Sequence, residues 1–185
     1  MGSADPELFA SREAIEQAVD RVAVEISQQC SDGVVLVSVL KGSLPFLADL
    51  VRAVAIEVEV DFMALSRFAA DSGRVRLVKD LDCDVGGRRV VLVEDIVDTG
   101  LSLGYLMGEL RRRSAASVAV AALLNRSARR ILPLEPDFVG FEAPDEFFLG
   151  YGLDWDGRYR NLDRLVIGDP GLLADDPDAY VSILY

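Results

Sequence analysis

VVLVEDIVDTGLSL, running from Val90 to Leu103, opens with four apolar residues in succession, the pattern of a strand covered on both faces. The Gly86-Gly87 turn introduces this strand, and Glu94-Asp95 are expected to end it abruptly. A helix is expected from about Leu101 to Arg113, with basic residues at its C-terminal end, where the helix dipole favours them. Three carboxylates and a hydroxyl-rich turn therefore fall at the carboxyl end of a buried strand, which is where open parallel sheets bind ligands. Thr99, Gly100 and Ser102 lie where the helix begins, so backbone N–H groups and two hydroxyls can converge there on a phosphate. Glu94 and Asp95 supply hard oxygens suited to magnesium or to ribose hydroxyls, and Asp98 is one short turn away. An ordinary junction would use Asp98 or Thr99 as a helix cap and leave Glu94 and Asp95 solvated. Three acids joined to a TGxS turn favour a ligand site instead. The turn is neither of the familiar glycine loops, since the chain contains no GxxxxGK[ST] and no GxGxxG.

Working outward, Ser11 to Ser27 sets Ile15, Val19, Val22 and Ile26 at helical spacing, an amphipathic helix capped by Ser11 and broken at Ser31-Asp32-Gly33. Val34 to Leu40 is another continuous apolar strand, followed by a tight Lys41-Gly42-Ser43 and a helix from about Pro45 to Ala53. Ile56 to Leu65 alternates Val58, Val60 and Phe62 with Glu57, Glu59 and Asp61, which predicts a strand with less cover on its polar face. Ser66 to Gly73 reads as a mobile loop and Arg74 to Val78 as an exposed strand. Ser117 to Leu124 is a third buried strand, and Phe138 to Phe141 and Phe147 to Leu149 are two shorter ones. Alternating strands and helices predict an α/β fold with a mainly parallel central sheet flanked by helices. With no repeat and no linker, residues 1–185 are expected to form one domain.

The composition narrows the function. Thirty-one acids against 19 Lys and Arg give a net charge of −12, which excludes a broad footprint on nucleic acid or anionic membrane. A polyanionic ligand must then be held locally, by a metal ion or a few converging cations. There is no His, so proton transfer falls to a carboxylate, Lys, Tyr or a bound water. Cys30 and Cys83 make neither a disulfide framework nor a zinc site. Met1 to Leu8 lacks the pattern of a signal peptide and no apolar run could span a bilayer, so a cytoplasmic protein is expected.

EDIVDTGLSL resembles the phosphoribosyl pyrophosphate motif of type I phosphoribosyltransferases. The wider chain is similar to the hypoxanthine-guanine branch through further segments in order: VLKGSLPFLADL from Val39 to Leu50, DFMALS from Asp61 to Ser66, PDFVGFEAPDEFFLGYGLD from Pro136 to Asp154, and YRNL from Tyr159 to Leu162. The resemblance implies an enzyme that joins a 6-oxopurine, hypoxanthine or guanine, to the ribose 5-phosphate of phosphoribosyl pyrophosphate. It implies a small hood over the base, contributed mainly by about residues 125–185. On the matching positions, Asp98, Thr99, Gly100, Leu101 and Ser102 would bind the 5-phosphate, and Asp98 would also serve as general base toward N7 of the purine. Glu94 and Asp95 would hold the ribose hydroxyls and, with Asp154, a Mg2+ ion. Lys41, Gly42 and Arg160 would hold pyrophosphate. Phe147 would stack on the base, with Ile96 and Leu153 as an apolar floor and the backbone of Phe148 reading the base edge. Small-molecule substrates and a homodimer or homotetramer are implied, with no nucleic acid or membrane partner.

Two positions depart from the family pattern. Arg126 stands where a Lys usually donates to the 6-oxo group, and Arg is longer, planar and forked. Arg67-Phe68 replaces a Ser-Tyr pair in the loop that closes over the reacting centre. Both changes bear on base choice and gating, which leaves open a phosphoribosyltransferase for another base, or a nucleotide-sensing protein of the same fold with little transferase activity. Asp82-Cys83-Asp84 is read as a solvated turn, and no chemistry is assigned to the acidic segment from Asp169 to Asp178.

Overall fold

The computed structural model describes residues 5–66 and 76–185. Its main sheet joins β2 (Val34–Leu40), β3 (Val58–Leu65), β4 (Leu77–Lys79), β5 (Arg89–Val97), β6 (Ser117–Asn125) and β7 (Phe138–Glu142) in the order β4-β3-β2-β5-β6-β7. All pairings are parallel except β3 with β4, so the expected mainly parallel α/β architecture is present. Strand alternation divides the apolar runs between two cores. Val34, Leu36, Val91, Val93, Ala121 and Leu123 face α1 (Arg12–Gln29) and α2 (Leu44–Ala53). Their neighbours Val35, Val37, Val90, Leu92, Val120 and Ala122 face α3 (Leu101–Arg112). This two-sided cover is why β2, β5 and β6 read as unbroken apolar strings. Ser11 caps α1 by accepting from the Ala14 N–H at 3.3 Å.

A second, antiparallel sheet in the order β1-β9-β8 joins β1 (Glu7–Ala10), β8 (Phe147–Leu149) and β9 (Leu165–Gly168). The short helices α4 (Pro170–Asp175) and α5 (Val181–Leu184) pack on it through Leu173, Tyr180 and Leu184. The acidic segment from Asp169 thus contains a helix, which Asp169 caps by accepting from the Gly171 N–H at 2.7 Å. Among the described residues no helix is long and apolar enough to cross a membrane.

Two local expectations need correction. β5 does not stop at Glu94-Asp95 but continues to Val97, because Ile96 and Val97 keep the register with Leu124 and Asn125 of β6. Asp61, on the supposedly open face of β3, is only 5% exposed. Its carboxylate accepts from the backbone N–H groups of Asp82 at 2.7 Å, Cys83 at 2.9 Å and Phe62 at 2.7 Å, and so ties the turn before β5 to the sheet. Asp82 and Asp84 are exposed, as a solvated turn requires.

Burial alone would push the Asp61 carboxyl up, but the N–H donors of Cys83, Phe62 and Asp82 outweigh it and hold the group below its ordinary value. A folded-state pKa below the unfolded one gives stability that is full above the unfolded pKa, about 4, and is lost as pH falls through the folded value. Asp61→Asn is therefore expected to cost about 1–3 kcal/mol in urea unfolding at pH 7. The gap from the unaltered protein should narrow as the pH is lowered below about 4.

Candidate active site

The chain leaves β2 toward β3 and leaves β5 toward β6, on opposite sides, so a crevice opens between the carboxyl ends of β2 and β5. A cleft of about 280 Å3 lies there, lined by Val39, Leu65, Ser66 and the run from Glu94 to Gly100 with Ser102 and Leu103. At its floor Gly100 takes φ +81° as the N-cap of α3 and has no side chain to cap it, and only a long 3.4 Å contact from the Leu101 N–H to Thr99 Oγ1 reaches the helix start. The cap position would otherwise take one of the first N–H groups, so the helix presents donors and the positive end of its dipole to the cleft. An added Cβ on Gly100 would lie 3.0 Å from the Leu132 carbonyl oxygen, so both the backbone angle and the packing favour glycine.

A second group lies beside the cleft where β2 ends. The Leu40–Lys41 peptide is cis. Gly42 lies so close to Asp95 that a Cβ there would fall 1.5 Å from Oδ2 of that carboxylate. Gly152, at φ +101°, in turn presses on Gly42: its own Cβ would fall 1.9 Å from the Gly42 carbonyl oxygen. The Gly152 carbonyl accepts from Arg160 Nη1 at 2.5 Å, and Arg160 Nη2 pairs with Asp154 Oδ1 at 2.6 Å. Asp95, Gly42, Gly152, Arg160 and Asp154 thus form one contiguous wall built from four separate segments.

The third group meets the cleft at Asp98. Arg126 grips its carboxylate with both arms of the fork, Nη2 to Oδ2 at 2.7 Å and Nε to Oδ1 at 3.3 Å, while Nη1 donates to the Glu146 carbonyl at 2.6 Å. Phe147, the next residue, meets Trp155 edge-on with ring centroids 5.4 Å apart.

Burial pushes the Glu94 carboxyl well above its ordinary value, and the charge of Asp95 adds to the effect. Asp95 is pushed up to about 6, again by burial first, with partial relief from the N–H of Ile96 and from Arg160. Two acids perturbed this way in a crevice are a mark of a functional site. Such a site can accept hydroxyl donors or a cation, either of which stabilises the ionised forms.

The family model described as "Phosphoribosyl transferase domain" matches residues 9–156. The chain belongs to the phosphoribosyl transferase family. Within it the chain falls on the hypoxanthine-guanine branch. It is 40% identical over 169 residues to a hypoxanthine-guanine phosphoribosyltransferase of Bacillus subtilis, covering 89% of this chain and 94% of the relative. Among solved structures, a hypoxanthine phosphoribosyltransferase of Staphylococcus aureus superposes with a TM-score of 0.85 at 30% identity, covering 90% of this chain and 92% of the other. A hypoxanthine-guanine phosphoribosyltransferase of Bacillus anthracis also gives 0.85, at 34% identity, covering 88% and 98%.

Of the residues singled out from the sequence, Glu94 to Gly100 and Ser102 line the cleft together, and Leu101 opens α3 beside them. Lys41 is exposed at the end of β2. Phe148 and Leu153 pack in the α1-side core, and Ile96 both lines the cleft and packs on that core. Arg67 and Phe68 lie outside the described residues. Sequence reasoning passed over Trp155, whose lone indole two residues after Leu153 was the available signal, and Gly152, whose GYG context marked a tight approach. Gly152→Ala is expected to lower stability by about 3 kcal/mol or more in urea unfolding, because the added methyl meets backbone that cannot yield and the angle disfavours any side chain.

Proposed function

We propose that the protein transfers the 5-phosphoribosyl group of phosphoribosyl pyrophosphate to a 6-oxopurine, hypoxanthine or guanine, giving the nucleoside monophosphate and pyrophosphate in purine salvage. The observation that carries this reading is the β5–α3 junction, where the buried Glu94, the half-buried Asp95 and a helix start at Gly100 share one cleft. In this reading the N–H groups and hydroxyls from Asp98 to Ser102 hold the 5-phosphate, and Glu94 and Asp95 accept from the ribose hydroxyls. Lys41, the Gly42 backbone and Arg160 hold the leaving pyrophosphate, whose growing charge they neutralise without reorganising. Asp98 accepts the purine N7 proton as C1′ gains oxocarbenium character. Arg126, next to Asp98, donates to the 6-oxo group, and Phe147 stacks on the ring with Ile96, Leu153 and the Phe148 backbone around it. The three-stranded sheet and its attached loops form the hood over the base, so that residues 1–185 work as one domain.

A Mg2+ ion fits the donor set. Asp154 and Asp95 present carboxylate oxygens within electrostatic reach of one another. Among the described residues no three acids gather into a metal cage of their own. Mg2+ characteristically takes one or two carboxylates plus waters and substrate oxygens, so Asp154, Glu94 and Asp95 would hold it partly through the substrate. When bound, the ion supplies positive charge against the pyrophosphate oxygens. The family resemblance and the two scattered cysteines support a cytoplasmic enzyme, and the resemblance alone supports a homodimer or homotetramer.

The reading is tested by measuring pyrophosphate release from phosphoribosyl pyrophosphate with Mg2+ and a panel of bases. Release with hypoxanthine or guanine supports it. Release with another base alone would reassign the substrate, and tight nucleotide binding without release from any base would make the protein a sensor. Asp98→Asn is expected to lower kcat by about 100-fold or more while changing the Kd for phosphoribosyl pyrophosphate far less. Equal losses in both would refute the proton-transfer role.

A further inference from the structure

Behind the phosphate-loop residues lies a segment whose contacts the reaction does not explain. The Arg130 side chain is only 8% exposed. It donates from Nη1 to the backbone carbonyl of Asp98 at 2.5 Å, from Nη2 to Asn125 Oδ1, and makes longer contacts of 3.4 and 3.3 Å with Glu135. Asn125, itself buried, is oriented by donating to both carboxylate oxygens of Glu142 at 3.0 and 3.1 Å. The next two residues complete the grip, since the N–H groups of Ile131 and Leu132 donate to the Thr99 carbonyl at 2.9 and 3.1 Å.

Direction makes these contacts consequential. A trans peptide is planar and points its C=O and N–H oppositely, and the Asp98–Thr99 and Thr99–Gly100 peptides are trans. Arg130 holds the carbonyl of the first and Ile131 and Leu132 hold the carbonyl of the second, and none of the three lines the cleft. The N–H groups of Thr99 and Gly100 are thereby turned toward the cleft, and among the described residues neither meets an acceptor. Leu132 also lies against Gly104 in the first turns of α3, so the whole segment backs the helix start.

We propose that Arg130 is a positioning residue for the 5-phosphate. Its forked guanidinium clamps the Asp98 carbonyl and the Asn125 amide together, which aims the loop N–H groups at the phosphate before the substrate arrives. The inference rests on the phosphate-loop assignment above. It divides Asp98 between two neighbouring arginines: Arg126 takes the carboxylate and Arg130 the main chain.

The test uses the full chain with two probes read by calorimetry, ribose 5-phosphate for the loop and pyrophosphate for the wall at Lys41, Gly42 and Arg160. Arg130→Met is expected to weaken ribose 5-phosphate about tenfold, the loss of one charge-assisted clamp, and to change pyrophosphate by less than about twofold. In steady state the KM for phosphoribosyl pyrophosphate should rise while the KM for the base holds. Arg130→Lys keeps the charge but reaches one acceptor in place of two, so it should restore only part of the affinity. It also carries the test should Arg130→Met not fold. An equal loss for both probes, no loss at all, or full recovery with Lys would overturn the clamp. Failure of the unaltered protein to bind ribose 5-phosphate would instead overturn the phosphate loop itself, and this inference with it.

Discussion

Everything at the site hangs on acids being carried on the last residues of a strand whose other neighbours are apolar. The parallel ladder fixes Glu94 opposite Ala122 and Ile96 opposite Leu124, so the backbone beneath both carboxylates is set by sheet hydrogen bonds before any ligand arrives. Water is largely absent from Glu94, which leaves desolvation uncompensated until a hydroxyl, a cation or a proton is supplied. The cores on both faces of the sheet bear that cost. A helix or loop could carry the same residues, but it would not hold them against the tendency of a charged group to turn outward.

The free protein meets its own charges internally. Arg126 is paired with Asp98 and Arg160 with Asp154, so on the proposed reading these two arginines rest on acids of the same site. Ion pairs of this kind keep the side chains ordered at the cost of an exchange step, since a ligand must offer contacts at least as good as those it displaces. In a chain of net charge −12 these pairs neutralise Asp98 and Asp154 but leave Glu94 and Asp95 as the acids that line the cleft.

What could be read from the sequence follows from where the determinants sit along the chain. α1 was visible because Ile15, Val19, Val22 and Ile26 repeat at helical spacing after a capping Ser11, and β2 and β6 because two-sided burial demands unbroken apolar strings. The β5–α3 junction was legible as a candidate site because acids, Thr99 and Gly100 are contiguous. β5 was cut short because Glu94-Asp95 look like a strand end, whereas ladder partners on β6, far away in sequence, carry it on. Asp61 defied alternation because its partners are backbone N–H groups some twenty residues later. β1 and β9 were missed for a related reason: each has four residues, and neither pattern is strong without the other. The role of Arg130 was invisible, since it is defined by carbonyl oxygens that no side-chain motif records.

The pairing of β1 with β9 also dictates an order of events during synthesis. β1 is made before the parallel sheet, with Phe9 placed to meet Phe141 and Phe148, yet its strand partner is made only after that whole sheet. Until then an unpaired edge and an aromatic ring wait in the open on a nascent chain, where they invite the wrong strand as readily as the right one. The smaller sheet can therefore close only once every strand of the larger one has been made.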